Sequence, residues 1–230
     1  MIKEDLILEF KKQGFSEKIV EAFEKIERKD FIPKKYKNFS YEDIALPIGK
    51  KQTISQPFTI AFMLDLLELK NNQKILEIGS GSGYVLALIN EISKNSELFG
   101  IERIPELEER SKRILKNFKN IHIFCRDGSK GFPEEAEKKL FDRILISATS
   151  EKIPQKLVKQ LKTGGILVAP VKNSIIKINS QKENFSNLSF DGNKSKEYLA
   201  KRKIKTFAND NQIEEYPGFM FVPLIKGDDS

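Results

Sequence analysis

The chain has 230 residues, with 40 Lys or Arg against 33 Asp or Glu and a formal net charge of +7. Hydrophobic residues make up 39% of it, and no apolar run approaches the roughly 18 residues that a membrane span needs. One cysteine and one histidine exclude an intramolecular disulfide and a metal site built from several Cys or His ligands, so we expect no metal. Because the first ten residues also lack the apolar core of a signal peptide, we expect a cytoplasmic protein without a membrane partner.

The positive charge is spread along the chain. Most lysines alternate with acidic residues, as in FEKIERKD (23–30) and PELEERSKR (105–113), which is typical of solvated helix faces. The one dense basic patch, KSKEYLAKRKIK (194–205), is either a site for an anionic partner or an ordinary exposed segment. We therefore expect no nucleic-acid partner, and we expect a monomer.

Two amphipathic helices and an irregular stretch are predicted in the N-terminal quarter. The helices cover residues 3–13 and 16–28, with Ser16 as the N-cap of the second. Residues 30–52 are interrupted by proline and glycine and are predicted to be irregular.

From residue 57 onward, apolar strand-like runs alternate with helical segments. Helices are predicted at 57–69, 83–93, 105–118 and 154–161. Strands are predicted at 74–79, 97–102, 121–127, 142–148 and 165–171. Such alternation is typical of βαβ units in a parallel sheet whose two faces are both covered.

The pattern changes after residue 172. Polar, β-prone runs are predicted to add antiparallel strands at the sheet edge, at 174–180, 187–192, 203–208 and 218–225. We therefore predict a doubly wound α/β fold with a mostly parallel sheet, N-terminal helices and an antiparallel C-terminal edge. We expect one domain with three parts: a helical, substrate-side extension (1–56), a cofactor-binding core (57–171) and a C-terminal β extension (172–230).

The only cysteine and the only histidine lie in one predicted strand, IHIFC (121–125). Its apolar residues predict that Cys125 is a small buried residue and not a reactive thiol. Nothing around His122 resembles the turn that carries a nucleophile, so no Ser–His pair is predicted.

The strongest local motif is the glycine-rich sequence LEIGSGSGYVLAL (76–88), which follows a strand and opens a helix. Gly79, Gly81 and Gly83 allow a tight turn and a close approach of the backbone to a ligand. Glu77 stands two residues before the first glycine. Its carboxylate would repel a pyrophosphate at the helix N-terminus, but it would favour a ligand with a cationic amino acid tail and a sulfonium.

Acidic residues also end the next two strands. Glu102 comes about 20 residues after the loop, where a carboxylate accepts hydrogen bonds from ribose hydroxyls. Asp127 and Gly128 end the third strand, on the side expected for an adenine ring. This set of acids and the G-x-G-x-G spacing favour S-adenosylmethionine over NAD. The alternative is that Glu77 and Glu102 only cap strand ends.

The segment QTISQP (52–57) places hydroxyls and amides before an apolar helix that begins near Pro57. Ser55 on this evidence is either a helix cap, since Pro at the first turn is sound helix-start chemistry, or part of an active site.

Further motifs run from residue 28 to 171 and resume near the C-terminus: RKDFIP (28–33), YEDIALPIG (41–49), QTISQP, KILEIGSGSGY (74–84), IER (101–103), DGSKGFP (127–133), FDRILISA (141–148), LKTGGILVAPV (161–171) and FVPLIKG (221–227). With them the chain resembles the protein-L-isoaspartate (D-aspartate) O-methyltransferase family. The resemblance implies a class I, Rossmann-like methyltransferase that uses S-adenosylmethionine to methylate the α-carboxylate of isoaspartyl residues in damaged proteins. The ester then closes to a succinimide, whose hydrolysis returns some normal aspartate.

The resemblance also implies roles for individual residues. Ser55 matches the active-site serine. The expected cofactor contacts are Glu77, Ile78, Gly79, Ser80, Gly81, Gly83, Glu102, Arg103, Asp127 and Gly128. The expected substrate contacts are Thr53, Ile54, Ser55, Ser147 and Ala148.

Some positions depart from the family pattern and bear on substrate breadth. Lys51 and Arg126 stand where glycine is common, Thr149 and Ser150 replace small apolar residues, and Met220 replaces a frequent arginine. Two alternatives stay open: a methyltransferase of the same fold that acts on RNA or a small molecule, and a catalytically silent binding protein.

Overall fold

A computed structural model describes residues 1–132, 141–148, 151–180, 204–208 and 211–219. Several sequence expectations lie outside these residues: the strand at 187–192, most of the basic patch and of 218–225, and the departures at Thr149, Ser150 and Met220.

The N-terminal helices form as predicted, although the second is shorter. They are α1 (Lys3–Lys12) and α2 (Glu17–Lys25). Helix α2 ends at Lys25 because Ile26 is extended, and a 3-10 turn follows at Arg28–Asp30. Ser16 occupies the N-cap position, but its side chain makes no capping hydrogen bond. The apolar faces of the two helices meet through Phe10 and Phe23, whose ring centroids are 4.9 Å apart.

The predicted irregular stretch 30–52 contains regular structure. A 3-10 helix at Lys34–Phe39 precedes a β-hairpin formed by β1 (Leu46–Gly49) and β2 (Gln52–Ile54). The hairpin was missed because its strands are short and β1 contains a proline, which sequence reasoning reads as a break.

The central elements alternate as predicted. The helices are α3 (Pro57–Leu66), α4 (Tyr84–Ile92), α5 (Pro105–Ile114) and α6 (Gln155–Val158). The strands are β3 (Lys74–Ile78), β4 (Glu97–Glu102), β5 (Ile121–Cys125), β6 (Phe141–Ile146) and β7 (Leu161–Val171). Helices α3, α5 and α6 end three or four residues before their predicted boundaries, and β7 begins four residues earlier than predicted.

The C-terminal strands are β8 (Ser174–Asn179), β9 (Ile204–Ala208) and β10 (Asn211–Pro217). Among the described residues the main sheet has eight strands in the order β5-β4-β3-β6-β7-β8-β10-β9. Its first five strands pair in parallel, and the last three add antiparallel, which confirms the predicted fold class. Strand β10 was not predicted, because its sequence NQIEEYP is mostly polar.

The strand order reverses between β3 and β6. From β3 the chain moves outward to β4 and β5, then returns to β6 on the other side of β3. In a sheet of this kind, the reversal opens a crevice at the carboxyl ends of the strands. All five residues of β3 are buried, and hydrophobic clusters cover both faces of the sheet. No helix among the described residues is long and apolar enough to cross a membrane.

Cys125 is exposed, contrary to the prediction. In the part of the sheet that the structure describes, β5 is an edge strand, and of its five residues Ile123 alone is buried. His122 is exposed on the same strand. An apolar run therefore does not bury its small residues when the strand lies at an edge.

The hairpin has a strained turn and two attachments to α5. Gly49, Lys50 and Lys51 all have positive φ, at 107°, 50° and 58°. A two-residue hairpin loop with two left-handed residues favours Asn-Gly, because other residues are strained there. Arg110 Nη1 donates to Ile48 O at 3.0 Å, and Lys50 forms an ion pair with Glu106 on the same helix.

We expect Lys51→Gly to stabilise the protein by about 0.5 kcal/mol, because glycine removes the left-handed strain but loses more entropy on folding. Urea unfolding at neutral pH measures the change in the free energy of unfolding. Lys51→Ala is the control, since it removes the charge and keeps the strain. Equal effects of the two substitutions would refute the backbone explanation.

Candidate active site

Two adjoining cavities open at the carboxyl ends of β3, β4 and β6. The outer cavity is bordered by residues 101–104, 126–128 and 147–148. The inner cavity reaches back to Glu77 and Tyr84. We call the two cavities together the cleft. They share six lining residues: Ile48, Thr53, Ser55, Gly79, Gly81 and Ser147. The hairpin thus contributes the wall opposite the glycine loop.

The glycine loop is held across the end of β4. The backbone N–H groups of Gly79 and Ser80 donate to Ile101 O at 2.7 and 3.1 Å. Gly79 and Gly81 both have positive φ, which favours glycine. A Cβ on Gly81 would lie 3.1 Å from Ile48 Cδ1, so the loop also approaches the hairpin closely at this glycine.

Glu77 is 1% exposed and lies on the wall of the inner cavity. Its Oε1 accepts a hydrogen bond from Ser147 Oγ at 2.6 Å. Its Oε2 is buried and has no hydrogen-bond partner among the described residues, and the same holds for Ser80 Oγ. Burial raises the pKa of Glu77 to about 8, the nearby charge of Glu102 adds to this, and the Ser147 bond opposes it. A cationic donor in the cavity would satisfy the free oxygen and stabilise the carboxylate.

Glu102 ends β4 and faces the outer cavity. Its Oε2 accepts from the Gly81 N–H at 2.8 Å and its Oε1 accepts from the Ile104 N–H at 2.9 Å. Each carboxylate oxygen has a second lone pair, so both can also accept from a ligand hydroxyl. Glu102 therefore accepts hydrogen bonds from the local backbone and also lines the cleft. A structural role at the strand end and contact with a ligand are thus compatible.

Asp127 and Gly128 also line the outer cavity. Asp127 Oδ1 accepts from the Ser129 N–H at 2.9 Å. Partial burial alone would raise the pKa of Asp127, but its hydrogen bonds to Ser129 and the nearby cations outweigh this and lower it. A Cβ on Gly128 would lie 2.5 Å from Ile78 Cγ2, so only glycine fits against the end of β3.

Ser55 is not the cap of α3. Gln56 occupies the N-cap position without a side-chain bond, and Pro57 is the first helical residue, as predicted. The free N–H of Phe58 is instead satisfied by Asp43 Oδ1 at 2.8 Å. The Ser55 hydroxyl makes no hydrogen bond to any described residue and lies on the wall shared by the two cavities. The Ser55 hydroxyl is therefore available to a ligand in the cleft, as the active-site interpretation requires.

The structure brings nearly all of the predicted site residues together. Those that line the cleft are Thr53, Ile54, Ser55, Glu77, Ile78, Gly79, Ser80, Gly81, Glu102, Arg103, Asp127, Gly128, Ser147 and Ala148. Gly83 lines neither cavity. It precedes α4 with φ 84°, and a Cβ there would lie 2.6 Å from Leu115 Cδ1, so packing accounts for the glycine. Its contact with the cofactor stays a prediction.

Sequence reasoning missed several lining residues. The main ones are Ile48, Gln52, Met63, Tyr84, Val85 and Ile104. Most are apolar, and nothing in an apolar side chain separates a cleft wall from a core. Arg126, noted in the sequence only as a departure, also lines the outer cavity. Its guanidinium lies over the rings of Phe124 and Phe132, 5.3 and 5.4 Å from their centroids.

Comparisons with known proteins agree on one family. A model of the family described as protein-L-isoaspartate(D-aspartate) O-methyltransferase matches residues 1–203. The protein-L-isoaspartate O-methyltransferase of Petrotoga mobilis is 39% identical over 221 residues, which cover 94% of this chain and 92% of that protein. The enzyme of the same name from Ignicoccus hospitalis is 40% identical over 174 residues, or 74% of this chain and 81% of that one.

Solved structures show the same fold. A protein-L-isoaspartate O-methyltransferase from Plasmodium falciparum, in complex with S-adenosyl-L-homocysteine, superposes with a TM-score of 0.74 at 22% identity. The match covers 97% of this chain and 98% of that one. A second protein-L-isoaspartate O-methyltransferase has a TM-score of 0.71, also at 22% identity, with 94% and 88% of the two chains covered.

The ionisation of Glu77 gives a pH prediction for the ligand-free protein. Because its pKa is raised in the folded state, stability should fall as pH rises from the ordinary value of 4.5 to about 8. We expect Glu77→Gln to flatten this decline, since the amide cannot ionise. Urea unfolding at pH 5 and pH 8 measures it, with the exposed Glu97→Gln as the control that keeps the parental slope. A parental slope in Glu77→Gln would contradict the assignment.

Proposed function

The chain belongs to the protein-L-isoaspartate (D-aspartate) O-methyltransferase family, and we propose that the cleft is where it carries out this family's reaction. It transfers a methyl group from S-adenosylmethionine to the α-carboxylate of L-isoaspartyl residues in damaged proteins and peptides. The observation that carries the proposal is that one hydroxyl and two carboxylates line the same cleft. The free Ser55 hydroxyl and the two acids Glu77 and Glu102 line adjoining cavities at the reversal point of the sheet.

The residues present fit S-adenosylmethionine. The unpartnered oxygen of Glu77 suits the cationic methionine end, and Glu102 has lone pairs for the ribose hydroxyls. Asp127 and Gly128 border the space left for the adenine. When bound, S-adenosylmethionine supplies an electrophilic methyl group on its sulfonium. The chain's own task is to hold the two reactants and to keep water out.

The acceptor needs orientation more than activation. A carboxylate is ionised at neutral pH and is already a nucleophile, so the protein need not supply a strong base. Consistent with this, His122 does not line the cleft. The nucleophilic oxygen must be held within about 3–3.5 Å of the methyl carbon and in line with it.

Ser55 is the residue proposed to orient that oxygen. Its hydroxyl donates to the substrate carboxylate without protonating it, and the N-terminus of α3, which begins two residues later, favours negative charge. Thr53, Ile54, Ser147 and Ala148 are the proposed neighbours of the isoaspartyl residue. We further propose that the enzyme acts as a monomer in the cytoplasm.

A methyl-transfer assay with paired peptides tests the function. We expect transfer to a peptide that contains isoaspartate and none to the same peptide with aspartate, because only the position of the free carboxyl differs. Labelled S-adenosylmethionine gives the measurement. Transfer to RNA with no transfer to the isoaspartyl peptide would support a same-fold RNA enzyme instead. The absence of both transfer and cofactor binding would indicate a silent binding protein.

Ser55→Ala tests the proposed role of the hydroxyl. We expect kcat on the isoaspartyl peptide to fall by at least about tenfold, since substrate orientation is lost. The free energy of unfolding should change by less than about 0.5 kcal/mol, because the hydroxyl caps no helix. Ser16→Ala, at the N-cap position of α2, is the matched control with parental kcat. An unchanged kcat in Ser55→Ala would refute the assignment.

A further inference from the structure

Arg28 is a buried cation directly behind Ser55. Arg28 is 1% exposed. Its guanidinium donates to three main-chain carbonyls: Nη1 to Ser40 O at 2.8 Å, and Nη2 to Ile44 O at 3.0 Å and to Ser55 O at 2.9 Å. One planar group therefore joins the 40–44 segment to the residue that carries the proposed orienting hydroxyl.

This arrangement is costly for the folded protein. Arg28 Nε is buried without a hydrogen-bond partner among the described residues. Burial lowers the pKa of Arg28 to about 10, with the charge of Asp43 opposing the shift, so the guanidinium stays charged at neutral pH. An apolar residue of similar volume could fill such a site without the desolvation cost of a buried charge. An apolar residue could not donate hydrogen bonds to the three carbonyls. We therefore look for the role of arginine in this set of N–H donors, which we call the guanidinium fork.

Asp43 makes the second connection between the same two segments. Its side-chain Oδ1 accepts from the Phe58 N–H at 2.8 Å, and its main-chain oxygen accepts from Gln56 Nε2 at 3.0 Å. Arg28 thus holds the chain at Ser55, and Asp43 holds it one and three residues further on. We call the two residues the Arg28–Asp43 clamp.

The hydroxyl of Ser55 depends on this clamp for its position. It makes no hydrogen bond to a described residue, so its place on the cleft wall follows from the main chain between β2 and α3. We propose that Arg28, assisted by Asp43, is the positioning residue that holds the Ser55 hydroxyl where it orients the substrate carboxylate. The inference rests on the role of Ser55 proposed above.

Arg143 offers a matched comparison at the opposite end of α3. It is 5% exposed and also donates to main-chain carbonyls, from Nε to Leu67 O at 2.5 Å and from Nη2 to Glu68 O at 3.0 Å. Arg143 lines neither cavity of the cleft. Loss of either fork should therefore destabilise the fold, but only loss of the Arg28 fork should affect methyl transfer.

The experiment is a double-mutant cycle on the full chain. Kinetics with an isoaspartyl peptide and S-adenosylmethionine are measured for Arg28→Lys, Arg143→Lys, Ser55→Ala and the double variant Arg28→Lys/Ser55→Ala. Lysine keeps the charge but cannot donate to three carbonyls in one plane. We expect Arg28→Lys to lower kcat by about tenfold or more, since a misplacement near 1 Å is enough for that, with the KM for S-adenosylmethionine within about twofold of the parent. Arg143→Lys should lower the melting temperature and leave kcat within about twofold.

The double variant separates a positioning role from general damage. If Arg28 acts through Ser55, Arg28→Lys should cause no further loss of kcat in the Ser55→Ala background. Independent, multiplying losses would overturn the positioning role while leaving the role of Ser55 intact. If Ser55→Ala alone leaves kcat unchanged, it is the role of Ser55 that fails, so the two failures are distinguishable.

Asp43→Ala covers the case in which Arg28→Lys does not fold. Asp43 is exposed, so its loss is tolerated by the core. We expect a several-fold lower kcat, an unchanged KM for S-adenosylmethionine, and no further loss when it is combined with Ser55→Ala. Parental kcat in Asp43→Ala, or a loss that multiplies with that of Ser55→Ala, would overturn the clamp.

Discussion

The cleft depends on the glycine loop lying across the carboxyl end of β4. Two adjacent N–H groups, from Gly79 and Ser80, share the single carbonyl of Ile101. This contact turns the chain sharply at the end of β3 and brings the Gly81 N–H to the carboxylate of Glu102. The parallel pairing of β3 and β4 places both carboxyl ends side by side, so a local turn and a long-range register together build the side of the cleft that is proposed to hold the cofactor.

Two carboxylates at this edge are placed in opposite environments. Glu102 receives two backbone N–H donors, so its charge is already stabilised without a ligand. Glu77 receives only the hydroxyl of Ser147, and its second oxygen has no described partner. Glu102 therefore shapes the loop. Burial raises the pKa of Glu77 to about 8, so a cation bound beside its unpaired oxygen would favour the carboxylate form.

The position of the glycine-loop side of the cleft, which is proposed to hold the cofactor, was predictable from sequence because strand, loop and helix follow one another there. LEIGSGSG fixes the place of Glu77 and of the glycines within one turn, and Glu102 follows at the end of the next strand. The opposite side, which is proposed to hold the substrate, was less predictable, since it is assembled from segments that are remote in sequence. Nothing in QTISQP shows that Asp43 caps the helix, or that Arg28 bonds to Ser55 O.

An edge strand and a pair of short strands account for two further errors. Cys125 has the sequence neighbours of a core residue, but among the described strands its own strand, β5, is paired on one side only. The β1–β2 hairpin has only seven strand residues and a turn without its preferred sequence, so its sequence carries little β signal. The exposure of Cys125 and the formation of the hairpin both depend on which elements pack against these segments. The hydrophobic periodicity of a sequence does not contain that information.

The signs of the charges explain why the two halves of the cleft are built differently. Glu77, Glu102 and Asp127 suit a cationic cofactor, but they would repel an anionic acceptor if they surrounded it. The proposed acceptor side instead has the hydroxyls of Thr53 and Ser55, the N-terminus of α3 and, behind them, the buried guanidinium of Arg28. These groups attract a carboxylate without donating a full proton to it. Each wall would thus favour one of the two proposed reactants, the acidic wall the sulfonium and the hydroxyl-lined wall the carboxylate, so that both would be held within the same cleft.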